Sequence, residues 1–272
     1  MPLSAIPSYI RSDKKLMSEK ILECRNVTKI FSYGKNGSIK AVDSLSLSIQ
    51  KGETYGLVGE SGSGKSTLGN MICALEKASS GEILFNGTNV AFFKGKALLD
   101  FRKRMQVIFQ DPYASLNPKH KIGSIIEEGL KIHKIADSKE ERKKLVNEMR
   151  SLIGLPFDSL EKYPSELSGG QRQRVAIASA MILRPDFVVC DECVSSLDVL
   201  IQAQILNLLK SMQKSLKLTY FFISHNLNVV AYMADRIGVM YHGQIIEEKT
   251  TEELLKNPEH PYTKKLIEAA DL

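Results

Sequence analysis

Residues 59–66 read Gly59-Glu60-Ser61-Gly62-Ser63-Gly64-Lys65-Ser66. That density of glycine confines the segment to a loop wrapped closely around a ligand, because only Gly reaches the needed dihedrals without a Cβ penalty. Before it, Thr54-Tyr55-Gly56-Leu57-Val58 has the composition of a short buried strand. After it, Thr67-Leu68-Gly69-Asn70-Met71-Ile72 opens a helix. Strand, Gly-rich loop and helix start, in that order, are the context a phosphate-binding G-x-x-x-x-G-K-[ST] loop requires. The helix end adds free N–H groups and the positive end of a dipole. Lys65 supplies a point charge for β- and γ-phosphates, and the Ser66 hydroxyl a ligand for Mg²⁺. Alone, the loop predicts a nucleoside triphosphate site and nothing finer.

At 272 residues and 43% hydrophobic, the chain is long enough for one large α/β domain with an added lobe. The net charge of +6 is spread out, with no dense basic stripe or interleaved aromatics of the kind nucleic acid binding needs. Its simplest account is a solvated Lys-rich surface. No apolar run approaches the roughly 18–20 residues of a membrane-spanning helix; the longest, Val175–Leu183, suits a core helix. The N-terminus carries charges from Arg11 onward and no apolar stretch of a secretory signal, so a cytosolic chain is expected. Cys24, Cys73, Cys190 and Cys193 form no secreted disulfide framework. Cys190-Asp191-Glu192-Cys193 is nominally a C-x-x-C, but no second pair or His completes a zinc shell.

Residues 1–20 are expected to be a flexible leader, with Met17 a second possible start, and one domain is expected over 21–272. Short strands follow, Ile21–Thr28 and then Leu45, Leu47 and Ile49 in alternation. Gly81–Phe85 runs into Asn86-Gly87, the strongest short hairpin signal. Met105–Phe109 is a further strand. Residues 119–167 change to a helical lobe, with Ser138–Glu141 as a capping box and Leu145, Val146, Met149, Leu152 and Ile153 on one face. Core segments 21–118 and 168–250 flank that lobe, and 251–272 form a helical tail. Buried strands Phe187–Cys190 and Leu218–Ile223 alternate with helices, which predicts a mostly parallel sheet covered on both sides.

Phe187-Val188-Val189-Cys190-Asp191-Glu192 is an apolar strand ending in two carboxylates. Such a strand delivers acids to the C-terminal edge of a parallel sheet, where α/β proteins bind ligands. Asp191 suits Mg²⁺, and Glu192 suits orienting and deprotonating an attacking water.

With Leu167-Ser168-Gly169-Gly170-Gln171 added, the chain resembles the nucleotide-binding subunit of an ABC transporter from Ile21 to its end. The resemblance implies an ABC ATPase fold: a P-loop (RecA-like) α/β core, an antiparallel β region and an inserted helical lobe. It implies ATP contacts from Gly59 through Thr67 and adenine stacking by Phe31, with Tyr33 as rival. It further implies a glutamine loop at Gln110 that reaches the metal with Ser66 and Asp191, the general base Glu192, the loop ending at Asp198, and a γ-phosphate sensor at His225. Ser168, Gly169, Gly170 and Gln171 are implied to reach the ATP of a facing subunit, so two chains, paralogous or identical, pack head to tail. Two departures stand out: Cys193 where the family commonly has Pro, and Asn226 where Asp usually follows the histidine.

Gln110-Asp111-Pro112-Tyr113-Ala114-Ser115-Leu116-Asn117-Pro118 and Asn257–Leu266 are similar to segments of the oligopeptide, dipeptide and nickel importer branch. That branch implies two membrane permease subunits, an extracytoplasmic substrate-binding protein acting indirectly, and a place on the cytoplasmic face of the membrane. Tyr113 and Leu116 are expected to dock those permeases. The tail ends without the cysteines of longer branch members, so no iron–sulfur cluster is expected. A repair-type ATPase would separate loop and acidic strand by a long coiled coil, and a GTPase would carry Asn-Lys-x-Asp; neither feature is in the sequence.

Overall fold

The structure, a computed structural model, describes residues 19–33 and 37–270. The leader, except its last two residues, and the alternative start at Met17 lie outside the described residues. The side chains of residues 33 and 114 lie outside them too, so the adenine-stacking rival Tyr33 is placed only by its backbone.

In chain order the elements are β1 (Lys20–Tyr33), β2 (Gly37–Gln50), β3 (Thr54–Val58), α1 (Lys65–Ile72), β4 (Ser80–Phe85), β5 (Thr88–Asn89), α2 (Gly95–Arg104), β6 (Met105–Ile108) and α3 (Pro112–Ser115). They continue with α4 (Ile122–Ile132), α5 (Lys139–Leu152), α6 (Gly169–Met181), β7 (Phe187–Asp191), α7 (Val199–Leu216), β8 (Thr219–Ser224), α8 (Leu227–Met233), β9 (Arg236–Tyr241), β10 (Gln244–Thr250), α9 (Thr251–Lys256) and α10 (Pro261–Ala269).

Two sheets carry the fold. A four-stranded antiparallel sheet runs β2-β1-β4-β5, and a six-stranded sheet runs β10-β9-β3-β8-β7-β6. In the larger sheet every pairing is parallel except the antiparallel edge β9–β10. The hairpin expected at Asn86-Gly87 joins β4 to β5, with φ of 48° and 78° at the two residues, the left-handed pair a tight hairpin turn needs.

The apolar runs of the central strands are unbroken because both faces are covered. On β7, Phe187 and Val189 join the core beneath the antiparallel sheet, while Val188 and Cys190 join the core of the helical side. On β8, Phe221 and Ile223 take the first side, Tyr220 and Phe222 the second. The register aligns β3 Val58 with β8 Ser224, and β7 Asp191 with Ile223. So the Gly59 loop, Asp191, Glu192 and His225 leave the sheet at one edge.

In the helical lobe Ile122, Ile125, Ile126 and Leu130 of α4 are buried against α6. Val146, Met149 and Ile153 are buried as expected of the α5 face, whereas Leu152 is 45% exposed and does not belong to it. The Ser138 Oγ accepts the Glu141 N–H at 3.0 Å, one half of the expected capping box. Leu116, expected as an exposed docking residue, is 4% exposed and part of the core. Its apolar side chain turns under α3 because an aliphatic residue flanked by Ser115 and Asn117 gains more from burial than from contact with water. Among the described residues no helix is long and apolar enough to cross a membrane.

Candidate nucleotide site

The loop after β3 is shaped by its neighbours as much as by its own glycines. Gly64 has φ of 106°, and a Cβ there would lie 2.1 Å from the carbonyl oxygen of Ala41. Neither the dihedral nor the space admits another residue. Lys65 is 4% exposed, and its Nζ donates to the carbonyls of Gly59 and Glu60 at 2.8 Å each, with Ser63 Oγ at 3.4 Å. Burial draws the Lys65 pKa down, while Glu192, Asp191 and Glu60 pull it back up. Ser66 and Thr67 follow on the first turn of α1.

Ser66 Oγ donates to Asp191 Oδ1 at 3.0 Å. Burial pushes the Asp191 carboxyl up; the Ser66 hydroxyl opposes that and the nearby Glu192 charge adds to it. A half-buried carboxylate and a hydroxyl at hydrogen-bond distance are hard oxygen donors, the set Mg²⁺ takes. The residues present therefore fit the metal. Among the described residues no group of three or more His, Cys, Asp and Glu side chains is clustered for a metal ion. Gln110 is fixed elsewhere: its Nε2 donates to Ser195 Oγ at 3.3 Å, and Ser195 Oγ donates to the Glu192 carbonyl at 2.9 Å. The glutamine loop is thus tied to the backbone of the candidate base.

Glu192 leaves β7 with φ of 46° and its N–H on the Ile223 carbonyl at 3.0 Å. A non-glycine residue in that region is strained by roughly 1–3 kcal/mol. The turn brings Glu192 Oε2 to 3.2 Å from His225 Nδ1. Gly59, Glu60, Ser61, Glu192, His225 and Leu266 line a cavity of about 440 Å³. This is the space beside the Lys65 end of the loop.

The remaining expected residues sort by position. Phe31 is 40% exposed on β1, paired with Ile39 two residues from the Ala41 that abuts Gly64, and Lys29 Nζ lies 4.7 Å from its ring centroid. Ser168 and Gln171 form a complete capping box at the start of α6: Ser168 Oγ accepts the Gln171 N–H at 3.3 Å and Gln171 Oε1 the Ser168 N–H at 3.0 Å. Gly169 and Gly170 face Leu197 and Ile201 of the same chain rather than the Gly59 loop. Asp198 caps α7, its Oδ1 accepting from Ile201 N at 3.0 Å. Asn226, the departure after the histidine, caps α8 by accepting from Asn228 N at 2.9 Å. Cys193, the other departure, is 1% exposed; its thiol and burial together push the Cys190 thiol far up. Both thiols are packing groups in the core.

Three contacts had no signal in the sequence. Tyr262 meets the loop through a backbone N–H, Leu266 lines the cavity, and Arg172 donates to the carbonyls of Leu167 and Pro164. Each depends on where the tail and α6 dock, which no local pattern records.

A parallel sheet that brings a lysine loop, a hydroxyl–carboxylate pair and a Glu–His pair to one edge, with a separate helical lobe, is the ABC ATPase fold. The chain belongs to the ABC transporter family: the sequence profile described as "ABC transporter" matches residues 42–195. Among its relatives, the oligopeptide transport ATP-binding protein OppF of Bacillus subtilis (strain 168) is 52% identical over 257 residues, covering 94% of this chain and 84% of that one. The dipeptide transport ATP-binding protein DppF of Lactococcus lactis subsp. cremoris (strain MG1363) is 48% identical over 251 residues, covering 92% and 80%. A dimeric post-hydrolysis structure of the ATP-binding cassette MJ0796 bound to ADP and Pi superposes with a TM-score of 0.77 at 30% identity, covering 85% of this chain and 98% of that one.

Proposed function

We infer that this chain is the ATP-hydrolysing subunit of an importer whose cargo is peptides, working on the cytoplasmic face of the membrane. The observation that carries the chemistry is the convergence of Lys65, Ser66–Asp191 and Glu192–His225 on one sheet edge. The cargo rests on relatives named for oligopeptide and dipeptide transport. Those names favour peptides over nickel, the other substrate of the branch.

In this reading Lys65 and the loop N–H groups hold the phosphates, and Phe31 flanks the adenine. Ser66 and Asp191, with Gln110 swung from Ser195, would hold Mg²⁺, which supplies charge neutralisation on the β- and γ-oxygens. Glu192 takes a proton from water as that oxygen bonds to the γ-phosphorus. The bond to the bridging oxygen breaks, and its electron pair leaves with ADP. His225, its Nδ1 3.2 Å from Glu192 Oε2, senses the γ-phosphate beside that carboxylate. Ser168–Gln171 serve the ATP of a facing subunit, because in their own chain they pack on α7, away from the Gly59 loop. A permease subunit docks at the groove lined by Phe109, Ile125, Ile132 and Leu183, beside Gln110.

The test is uptake into vesicles holding the membrane subunits, with this chain and ATP enclosed in the lumen and labelled peptide with its extracytoplasmic binding protein outside. ATP-dependent accumulation of a labelled tripeptide, lost in Lys65→Ala, is expected. Accumulation of labelled nickel without peptide, or unchanged hydrolysis in folded Lys65→Ala, would refute it.

A further inference from the structure

We propose that Tyr262 is a positioning residue of the nucleotide site, holding the Gly59–Glu60 peptide so that Lys65 keeps a fixed acceptor. The geometry is specific. The Glu60 N–H donates to the Tyr262 hydroxyl at 3.0 Å, and the Gly59 carbonyl of the same peptide unit accepts from Lys65 Nζ at 2.8 Å. One planar unit is therefore pinned at both ends, by the tail on its N–H side and by Lys65 on its oxygen side. Without the phenol, that peptide is free to turn about its flanking bonds, and the lysine loses an acceptor of set direction.

The tail is built to deliver this one oxygen. The Tyr262 ring lies 4.4 Å from the ring of Tyr241 at the end of β9. Its own N–H is capped by His260 Nδ1 at 3.1 Å. The turn before it is anchored by Glu247, whose carboxylate, only 8% exposed, accepts from Glu259 N at 2.8 Å and His260 N at 3.0 Å. At the far end of α10 the Ala270 carbonyl accepts from Asn228 Nδ2 at 3.0 Å, three residues past His225. So α10 spans from the Gly59 loop to the segment that follows the histidine, and it lies outside residues 42–195 that the family profile covers.

The proposal rests on the nucleotide-site reading above, and its test separates the two. The full-length chain is titrated with N-methylanthraniloyl-ADP and Mg²⁺ as wild type, Tyr262→Phe, Ile267→Ala and Lys65→Ala, and each is melted without nucleotide. Tyr262→Phe removes a single oxygen and keeps the ring. Loss of one hydrogen bond of ordinary net strength predicts affinity lower by roughly 2- to 12-fold, with Tm lowered less than in Ile267→Ala. Ile267→Ala, which loosens the buried face of α10 without touching the phenol, should lower Tm and leave affinity near wild type. Unchanged affinity in Tyr262→Phe, or an equal loss of affinity in Ile267→Ala, overturns the proposal. A wild type that does not bind the probe, or a Lys65→Ala that binds it equally well, overturns the site reading instead.

Discussion

The Arg172 guanidinium sits 5.5 Å from the centroid of the Tyr113 ring, joining α3 to the first turn of α6. Arg172 also donates to the carbonyls of Leu167 and Pro164, so one side chain touches both the segment after Gln110 and the Leu167–Gln171 string. Tyr113 remains 54% exposed on its other side. A permease surface pressing on Tyr113 therefore has a direct mechanical path to the start of α6.

The docking prediction divides accordingly. Tyr113→Ala should leave Tm and nucleotide affinity unchanged while transport and co-purification with the membrane subunits fall, since aromatic anchors carry much of an interface's energy. Leu116→Ala should instead lower stability by roughly 2–5 kcal/mol, the range for emptying a buried aliphatic site. Thermal melts beside pull-downs check both; normal co-purification of Tyr113→Ala would move the docking surface elsewhere on the lobe.

Glu192→Gln should bind ATP and turn over at least roughly 10²-fold more slowly, as loss of a general base predicts. Size-exclusion chromatography with saturating ATP should show it as a dimer when its partner's site is blocked as well. Full activity together with monomeric elution would remove both the base and the head-to-tail arrangement.

Much of this site was legible because its chemistry is carried by contiguous strings. Gly59–Ser66 and Asp191–Glu192 sit on strand ends, and strand ends follow from apolar runs bounded by turns. The antiparallel hairpin followed from Asn86-Gly87 for the same local reason. What failed was side-chain facing at element ends: Leu116 and Leu152 exchange the exposures expected of them, because Leu116 follows the four-residue α3, too short to fix a face by period, and Leu152 is the last residue of α5, at the edge of its buried stripe. The tail's contact with Glu60 was illegible in principle. It uses a backbone N–H, which every residue but proline carries.

The buried Glu247 makes the tail acid-sensitive. Burial pushes its carboxyl up, but the N–H groups of Glu259 and His260 and the Lys249 ammonium outweigh that and hold it at about 2. An unfolded glutamate titrates near about 4.3, so the folded state binds fewer protons between those values. The stabilisation is complete above the unfolded value and is lost as pH falls toward 2. Glu247→Gln should lower Tm at pH 7, and its deficit relative to wild type should shrink as pH falls below about 4.3. A deficit constant down to pH 3 would show that the carboxylate charge does not anchor the turn.

Gly170 makes a final claim testable, because its requirement has two possible sources. A Cβ at Gly170 would stand 2.6 Å from Ile201 Cγ2 in the same chain, a distance that forces the start of α6 and α7 apart. If Gly170→Ala acts through that clash, it should lower Tm and move Ser168 and Gly169 away from their working position. A misplacement near 1 Å can reduce turnover by ~10²-fold. Ile201→Ala removes the opposing methyl group, so the double variant should recover Tm and most of the ATPase activity of Ile201→Ala alone. Recovery of Tm without recovery of activity would place the requirement for a bare backbone in the facing subunit's nucleotide, where the missing Cβ admits the γ-phosphate.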